Sequence, residues 1–185
     1  MNVRKSLTAA LLGLTVLAFA GAGEAATPSP GRAASPEVLA RDLVRRLNLQ
    51  REAGWDTPGH RDTDPAFQRL MDDNGSLAFS HYGGVDLDYD PVCQCQDTGG
   101  RFTLVSLTRS SPILAVMHMR ADSDLPTTEP PATYDIVLKL IAGRWRIYDV
   151  VERENGSLRQ QLIRHNACLR ASRNPAVIDR CFAGH

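Results

Sequence analysis

The sequence lacks most of the features that assign a protein to a functional class. Its 21 basic and 21 acidic residues give a formal net charge of zero, so it has no overall basic character of the kind that nucleic-acid-binding domains carry. Aromatic residues make up only 6% of the chain, and no Gly-x-Ser-x-Gly nucleophile elbow is present. Nucleic acid is therefore not an expected partner, and no motif supports a serine hydrolase.

Long apolar runs are also scarce, and the longest lies near the N-terminus. Arg4 and Lys5 precede an apolar run from Leu7 to Ala20, and small residues around Glu24 follow it. A basic start, a short apolar core and a small-residue exit are typical of a secretory signal peptide. The run is shorter than the roughly 20 apolar residues of a membrane span. We therefore predict a signal peptide over residues 1–25, a periplasmic or secreted bacterial protein, and no membrane span in the mature chain.

The rest of the chain has the length of one domain. Residues 26–35 are rich in proline, serine and alanine, which is typical of a flexible tether. About 160 residues remain after the signal peptide, enough for a single hydrophobic core. We predict one domain over residues 36–165, followed by a disulfide-clipped helical tail over residues 166–185.

Two helices are predicted before any strand. Ser35-Pro36 is typical of a helix start, with serine as N-cap and proline at the first helical position. Apolar residues then recur at helical spacing. A second, short helix is predicted to begin at Asp64-Pro65 and to end at Asn74-Gly75, since that dipeptide favours a turn.

Strands follow the two helices, and helical spacing returns at the end. Apolar and β-branched runs over residues 102–108 and 113–120 predict one hairpin, and those over 134–140 and 145–151 predict another, with its turn at Ala142-Gly143. Helical spacing returns from Leu158. This order predicts an α+β fold in which a curved antiparallel sheet packs one face against the N-terminal helices, with a helical extension at the C-terminus.

Four cysteines, Cys93, Cys95, Cys168 and Cys181, are expected to form disulfides, since their number is even and the chain is predicted to be exported. A Cys168–Cys181 bridge would close about 14 residues and stabilise the tail by roughly 3 kcal/mol. For Cys93 and Cys95 three arrangements stay open: a small local ring, cross-pairing with the C-terminal cysteines, or a redox-active pair. The single intervening residue favours a structural role, because redox pairs usually have two. The wide spacing argues against a four-cysteine zinc site.

Three segments resemble one known family. Asp90-Pro91 followed by Gln96-Asp97 resembles the signature of an exported bacterial family of domains of unknown function, which has a cystatin-like, nuclear-transport-factor-like fold. The predicted hairpin over residues 134–150 and the helix start at 156–159 are similar to the C-terminal part of that family. The resemblance covers roughly residues 36 to 165 and does not extend to the cysteines. It implies a cone-shaped α+β fold and an envelope location, and it carries no established activity.

The densest polar cluster is an acidic segment. Asp86, Asp88, Asp90 and Asp97 occupy positions one, three, five and twelve of a calcium-type loop. Pro91, however, stands at the sixth position, which must turn sharply with glycine. An EF-hand-type metal site is therefore not predicted; a looser calcium site and carboxylates that cap turns are the remaining alternatives. The same segment is a candidate binding surface, formed by Asp88, Asp90, Gln96 and Asp97.

Four further side chains are candidates to line the cavity of a cone-shaped fold: His118, Tyr134, Asp135 and Trp145. His118 paired with Asp135 or Tyr134 is the combination that could transfer protons. A hydrogen-bonded structural histidine is the alternative, and aromatic residues on strands usually belong to the core.

Two functional hypotheses follow from this pattern. The first is a non-enzymatic binding protein of the envelope, for example an inhibitor or immunity protein for a toxin or hydrolase, because no recognisable active site is present. The second is a small-ligand binder or a lyase- or isomerase-like enzyme that uses the cavity. The expected partner is an unknown protein or a small ligand, and no cofactor is expected in either case.

Overall fold

A computed structural model describes residues 35–50, 60–83, 87, 89–94, 100–123 and 130–171 of the chain. The predicted signal peptide, the tether up to residue 34 and the predicted tail beyond residue 171 lie outside these residues. No helix in the described part of the chain is long and apolar enough to cross a membrane. The elements follow the predicted order: α1 (Pro36–Gln50), a 3-10 turn (His60–Asp62), α2 (Pro65–Tyr82), β1 (Arg101–Ser111), β2 (Leu114–Asp122), β3 (Ala132–Ile141), β4 (Arg144–Glu152), β5 (Gly156–Ser157) and α3 (Leu158–Ala171).

The five strands form one open antiparallel sheet in the order β1-β2-β3-β4-β5. Each neighbouring pair is also consecutive along the chain, and two residues suffice to connect β1 with β2 and β3 with β4. At the β3–β4 turn, Ala142 has φ 48° and Gly143 has φ 75°. Two left-handed residues in succession match the twist of a two-residue hairpin. Both predicted hairpins are confirmed.

All three helices cover the same face of the sheet. Alternate residues of β2 and β3 are buried, as the twofold repeat of a strand requires, and they share one core with residues of every helix. The intervening residues, which include Val116, His118 and Asp135, are only partly buried. The predicted α+β class and the packing of helices on one face are therefore confirmed. The buried core residues from the three helices and from β2, β3 and β4 are Ala40, Leu43, Leu47, Phe67, Ala115, Met117, Met119, Tyr134, Ile136, Leu138, Trp145, Ile147, Val150, Leu158 and Leu162.

A buried carboxylate joins α3 to the sheet. Oδ1 of Asp149 accepts the backbone N–H groups of Val150 (2.9 Å) and Arg159 (2.8 Å), and its Oδ2 accepts the hydroxyl of Ser157 at 2.6 Å. The Ser157 hydroxyl oxygen in turn accepts the backbone N–H of Gln160 at 3.1 Å. The first turn of α3 is therefore capped both by Ser157, which directly precedes it, and by Asp149 of β4.

The side chain of Arg159 extends this connection to α2. Its guanidinium donates to the Asp64 carboxylate and to the carbonyl of Tyr148, both at 2.9 Å. It also stacks over the Tyr148 ring, 4.1 Å from the centroid. Asp64 directly precedes α2, and its backbone N–H donates to the carbonyl of Ile147 in β4 at 2.8 Å. The starts of α2 and α3 are thus both held against β4.

The predicted end of α2 at Asn74-Gly75 is wrong. The helix continues to Tyr82 and is followed by Gly83 with φ 69°, a left-handed residue that commonly follows a helix. Asn74 is fully buried, and its Nδ2 donates to Oδ1 of Asn166 in α3 at 3.1 Å. Asparagine favours turns because its side chain competes for nearby backbone groups. Here α3 supplies a partner instead, and the helix is not interrupted.

Replacing Asn166 tests this buried contact between α2 and α3. Its Nδ2 also donates to the carbonyl of Leu70 at 2.9 Å. We expect Asn166→Ala to lower the free energy of unfolding by about 1–3 kcal/mol, because it removes partners from buried polar groups. Urea denaturation followed by circular dichroism measures the change. Gln160→Ala, an exposed substitution in the same helix, should stay within about 0.5 kcal/mol of the parent; equal effects of the two variants would contradict the assignment.

Two side-chain contacts hold α1 against β1. The carboxamide of Asn48 bonds to both backbone groups of Phe102, accepting from its N–H at 3.0 Å and donating to its carbonyl at 2.8 Å. At the other end of α1, Arg109 donates two hydrogen bonds to the Glu37 carboxylate, at 2.8 and 2.7 Å. These bonds, with a smaller contribution from Ser35, lower the pKa of Glu37 to about 2.

The Glu37 pKa gives a direct test of the Arg109 contact. The folded-state pKa lies below the ordinary value of 4.5, so the ionised carboxylate favours the folded protein. That contribution is present above pH 4.5 and is lost as the pH falls towards about 2. It is weak, because both side chains are exposed to solvent. Titration by NMR should place the Glu37 midpoint near 2 in the parent and raise it towards the ordinary value in Arg109→Ala. Identical midpoints in the two proteins would contradict the ion pair.

Candidate functional site

The face of the sheet opposite the helices contains an open depression of about 420 Å³. Its floor crosses three neighbouring strands, because His118 of β2 pairs with Asp135 of β3 and Asp135 pairs with Val151 of β4. Its rim includes Val105, the residue at which the pairing of β1 with β2 is irregular. The lining residues are Val105, His118, Met119, Thr133, Tyr134, Asp135, Val151, Glu152 and Arg153.

His118 and Asp135 are in direct contact in this depression. The Nδ1 atom of His118 lies 2.6 Å from Oδ1 of Asp135, and the two side chains remain 41% and 37% exposed. A carboxylate at Nδ1 favours the imidazole tautomer whose proton is on that nitrogen, which leaves Nε2 as an acceptor. The structure therefore brings together one pair of residues that the sequence nominated. It offers an oriented imidazole that can accept a hydrogen bond or a proton.

Tyr134 and Trp145 lie mainly on the other face of the sheet. Tyr134 is only 4% exposed, and its hydroxyl donates to the carbonyl of Val92 at 2.9 Å. Burial, reinforced by the nearby charge of Asp90, raises the pKa of the Tyr134 phenol, so the group remains a protonated donor. Trp145 belongs to the core that contains Leu138. The four candidate cavity residues therefore do not converge on one cavity, although Tyr134 also borders the depression.

Asp90 stabilises the turn that follows it. Its Oδ1 accepts the backbone N–H of Val92 at 2.7 Å and that of Cys93 at 3.4 Å, in the manner of an Asx turn. This geometry matches the turn-capping alternative for Asp90. The other candidate residues of the acidic segment, Asp88, Gln96 and Asp97, lie outside the described residues, so their role as a binding surface stays a prediction.

Glu152 is a polar centre at the depression that sequence reasoning missed. Its carboxylate accepts hydrogen bonds from the hydroxyl of Tyr89, from Nε2 of Gln94 at 3.1 Å and from Nδ2 of Asn155 at 2.7 Å. Glu152 thereby connects the turn after Asp90 to the end of β4. Only Asn155 is close to it in sequence, which explains why no local pattern marked this residue.

The cysteine pairing is not resolved by the described residues. Neither Cys93 nor Cys168 is a free thiol. Cys95 and Cys181 lie outside the described part of the chain, so the predicted bridges stay predictions. Within the described residues, no group of three or more histidine, cysteine, aspartate or glutamate side chains is arranged to hold a metal ion.

Comparison with known proteins assigns no family to the chain. No family model matches it, and no curated protein matches it. The structure supports an α+β fold in which helices pack against a five-strand antiparallel sheet. Function must therefore be argued from the geometry of this sheet.

The buried Tyr134 hydroxyl provides a stability test of the turn beside the site. We expect Tyr134→Phe to lower the free energy of unfolding by about 1–3 kcal/mol, because the carbonyl of Val92 loses its buried donor. Tyr148→Phe is the matched control: the Tyr148 ring contacts Lys139 and Arg159, and those contacts need no hydroxyl, so its change should stay within about 0.5 kcal/mol. Chemical denaturation measures both. A neutral Tyr134→Phe variant would show that the hydrogen bond does not stabilise the turn.

Proposed function

We propose that this protein is a non-enzymatic binding protein and that the depression around His118 and Asp135 receives a partner protein. The observation that carries this proposal is the open sheet face, where paired polar groups lie beside apolar side chains. Val105 on the rim is 62% exposed, and the partly buried Val151 adds further apolar surface. Apolar area surrounded by polar groups that can form hydrogen bonds is typical of protein interfaces.

The depression is open to solvent rather than enclosed, which gives a protein segment access to its floor. Both polar side chains of this floor, His118 and Asp135, remain more than one-third exposed. On the helix-covered face, Leu138 and Ile147 are fully buried and Trp145 is 9% exposed, so these side chains fill the core there. A convex partner segment can contact the open floor without entering an enclosed cavity.

The envelope is the proposed location of this activity. The support is the basic start and short apolar run of the N-terminus, together with an even number of cysteines. The α+β fold is compatible with membership of the exported family that the sequence resembles. An inhibitor or immunity protein, which covers the surface of a toxin or hydrolase, is the role that fits such a binding domain.

A second candidate, proton-transfer catalysis, is favoured by one observation. Asp135 orients His118 as a carboxylate orients a general base. No serine or cysteine is among the described residues that line the depression, so these residues supply no nucleophile of that kind. His118→Gln separates the two functions: it removes the base while keeping a polar side chain of similar reach, so it abolishes turnover of an enzyme but only weakens a binding surface.

Filling the depression is the test of the binding proposal. Thr133 is exposed and lines the depression, so Thr133→Trp should block access without disturbing the core. The oxidised protein would be immobilised, exposed to envelope and secreted extracts of its own species, and the retained proteins quantified by mass spectrometry. We expect one stoichiometric partner on the parent protein and at least about tenfold less on Thr133→Trp, equivalent to about 1.4 kcal/mol.

The control introduces the same tryptophan side chain at a position away from the depression. Ser80→Trp adds an indole to an exposed position of α2, and it should retain as much partner as the parent. Equal retention by Thr133→Trp and Ser80→Trp would show that the depression is not the binding site. If no protein were retained by the parent, the proposal of a protein partner would fail.

A further inference from the structure

The outer edge of β1 is a second exposed feature of the sheet. Among the strands that the structure describes, β1 is the first of the sheet and pairs only with β2. Five of its central side chains, from Val105, Ser106, Thr108, Arg109 and Ser110, are exposed. Exposed outer strands invite pairing with another strand, because their backbone groups lack partners on one side.

The hydrogen-bond pattern shows which backbone groups of β1 face outward. The N–H of Leu140 in β3 donates to the carbonyl of Ile113 at 2.9 Å, so the backbone groups of Ile113 face β3. Backbone direction alternates along a strand; the odd-numbered residues of β2, such as Ala115 and Met117, therefore face β3 as well. Their opposite residues in β1, Arg109 and Leu107, must turn their backbone N–H and C=O groups away from β2.

One end of this outer edge is already occupied by α1. The carboxamide of Asn48 bonds to both backbone groups of Phe102, and the irregular pairing around Val105 follows. Beyond it, the pairing of β1 with β2 is regular from Ser106 to Arg109. No described residue bonds to the outward backbone groups of Leu107 and Arg109. The unoccupied edge thus offers two donors and two acceptors.

We propose that a second copy of this chain pairs with this edge, β1 against β1 in antiparallel orientation, about a twofold axis at Thr108. Leu107 of each copy then lies opposite Arg109 of the other. Since both residues direct N–H and C=O outward, the pairing satisfies all of these groups with four hydrogen bonds. On the axis, Thr108 of one copy lies opposite Thr108 of the other. The two strands form no backbone hydrogen bonds with each other at this position.

In this arrangement the side chains of the two copies of β1 are complementary to each other. A second copy of the chain is therefore the partner that we propose for this edge. Thr108 lies opposite Thr108 on the axis, and a hydroxyl pair of this kind stabilises antiparallel strands. Ser110 lies beyond the regular stretch, because the pairing of β1 with β2 is irregular again between Arg109 and Ser111. No like charges face each other, because Arg109 lies opposite Leu107 and its charge is balanced by Glu37 at 2.7 Å. Symmetric, self-complementary surfaces are the rule in homodimers. This inference concerns β1 and is independent of the binding proposed for the depression.

Crosslinking through the axis tests the register. Directly opposite residues of antiparallel strands have Cβ atoms about 4.5–5.5 Å apart, close enough for a disulfide after a small adjustment. Thr108→Cys should therefore give a covalent dimer on mild oxidation, seen on a non-reducing gel. Thr103→Cys, which replaces another exposed threonine of β1 far from the axis, should remain monomeric on the same gel. Equal crosslinking of the two variants would overturn the proposed register.

The unmodified protein supplies the second measurement. Sedimentation velocity should show a dimer, and Thr108→Lys should raise its dissociation constant about fivefold, because it places two like charges opposite each other. Mixing Thr108→Lys with Thr108→Glu should restore dimerisation. A parent protein that sediments only as a monomer would overturn the proposal.

Discussion

The carboxylate of Asp149 is the interaction on which the arrangement of this domain depends. It is 8% exposed and accepts hydrogen bonds from both sides of the β4–α3 connection. Hydrogen bonds to a charged group contribute about 1.5–3 kcal/mol each, although bonds that share one acceptor do not add independently. Arg159 lies in the first turn of α3 and reaches Asp64 at the start of α2. Asp149 therefore fixes where α3 begins, and the side chain of Arg159 connects that start to the start of α2.

This constraint leaves the two faces of the sheet unequal. With α2 and α3 held at β4 and α1 held at β1, all three helices bury the same face, and the opposite face keeps His118 and Asp135 accessible to solvent. A domain of this size gains its stability from one packed face, so the other is free to carry polar and apolar groups without loss of the core. The binding function that we propose for the open face is based on this difference between the faces.

Local patterns predicted most of the fold. The Ser35-Pro36 start, the Asp64-Pro65 start and both hairpins depend on residues close together in sequence, and all are present in the structure. The end of α2 was mispredicted because the partner of Asn74 is Asn166, in a helix far along the chain. No window around Asn74 contains that information.

The site was less predictable than the fold, for the same physical reason. The alternation of side chains along β3 already separates Tyr134 from Asp135, since neighbours in a strand point to opposite faces. The pairing of His118 with Asp135 needs the register between β2 and β3, which the connecting segment does not reveal. The Glu152 carboxylate accepts hydrogen bonds from Tyr89 and Gln94, which are remote in sequence. No sequence pattern near Glu152 therefore indicates its place in the site.

The central claim is that the partner covers the open face of the sheet, and chemical labelling of histidine tests it most directly. Diethyl pyrocarbonate would be applied to the protein alone and to the protein bound to its captured partner, and the labelling rates measured by mass spectrometry. The 41% exposed His118 side chain should label readily when free and be protected in the complex, whereas His165, which is 8% exposed, should label slowly in both. An unchanged rate at His118 in a saturated complex would contradict the account.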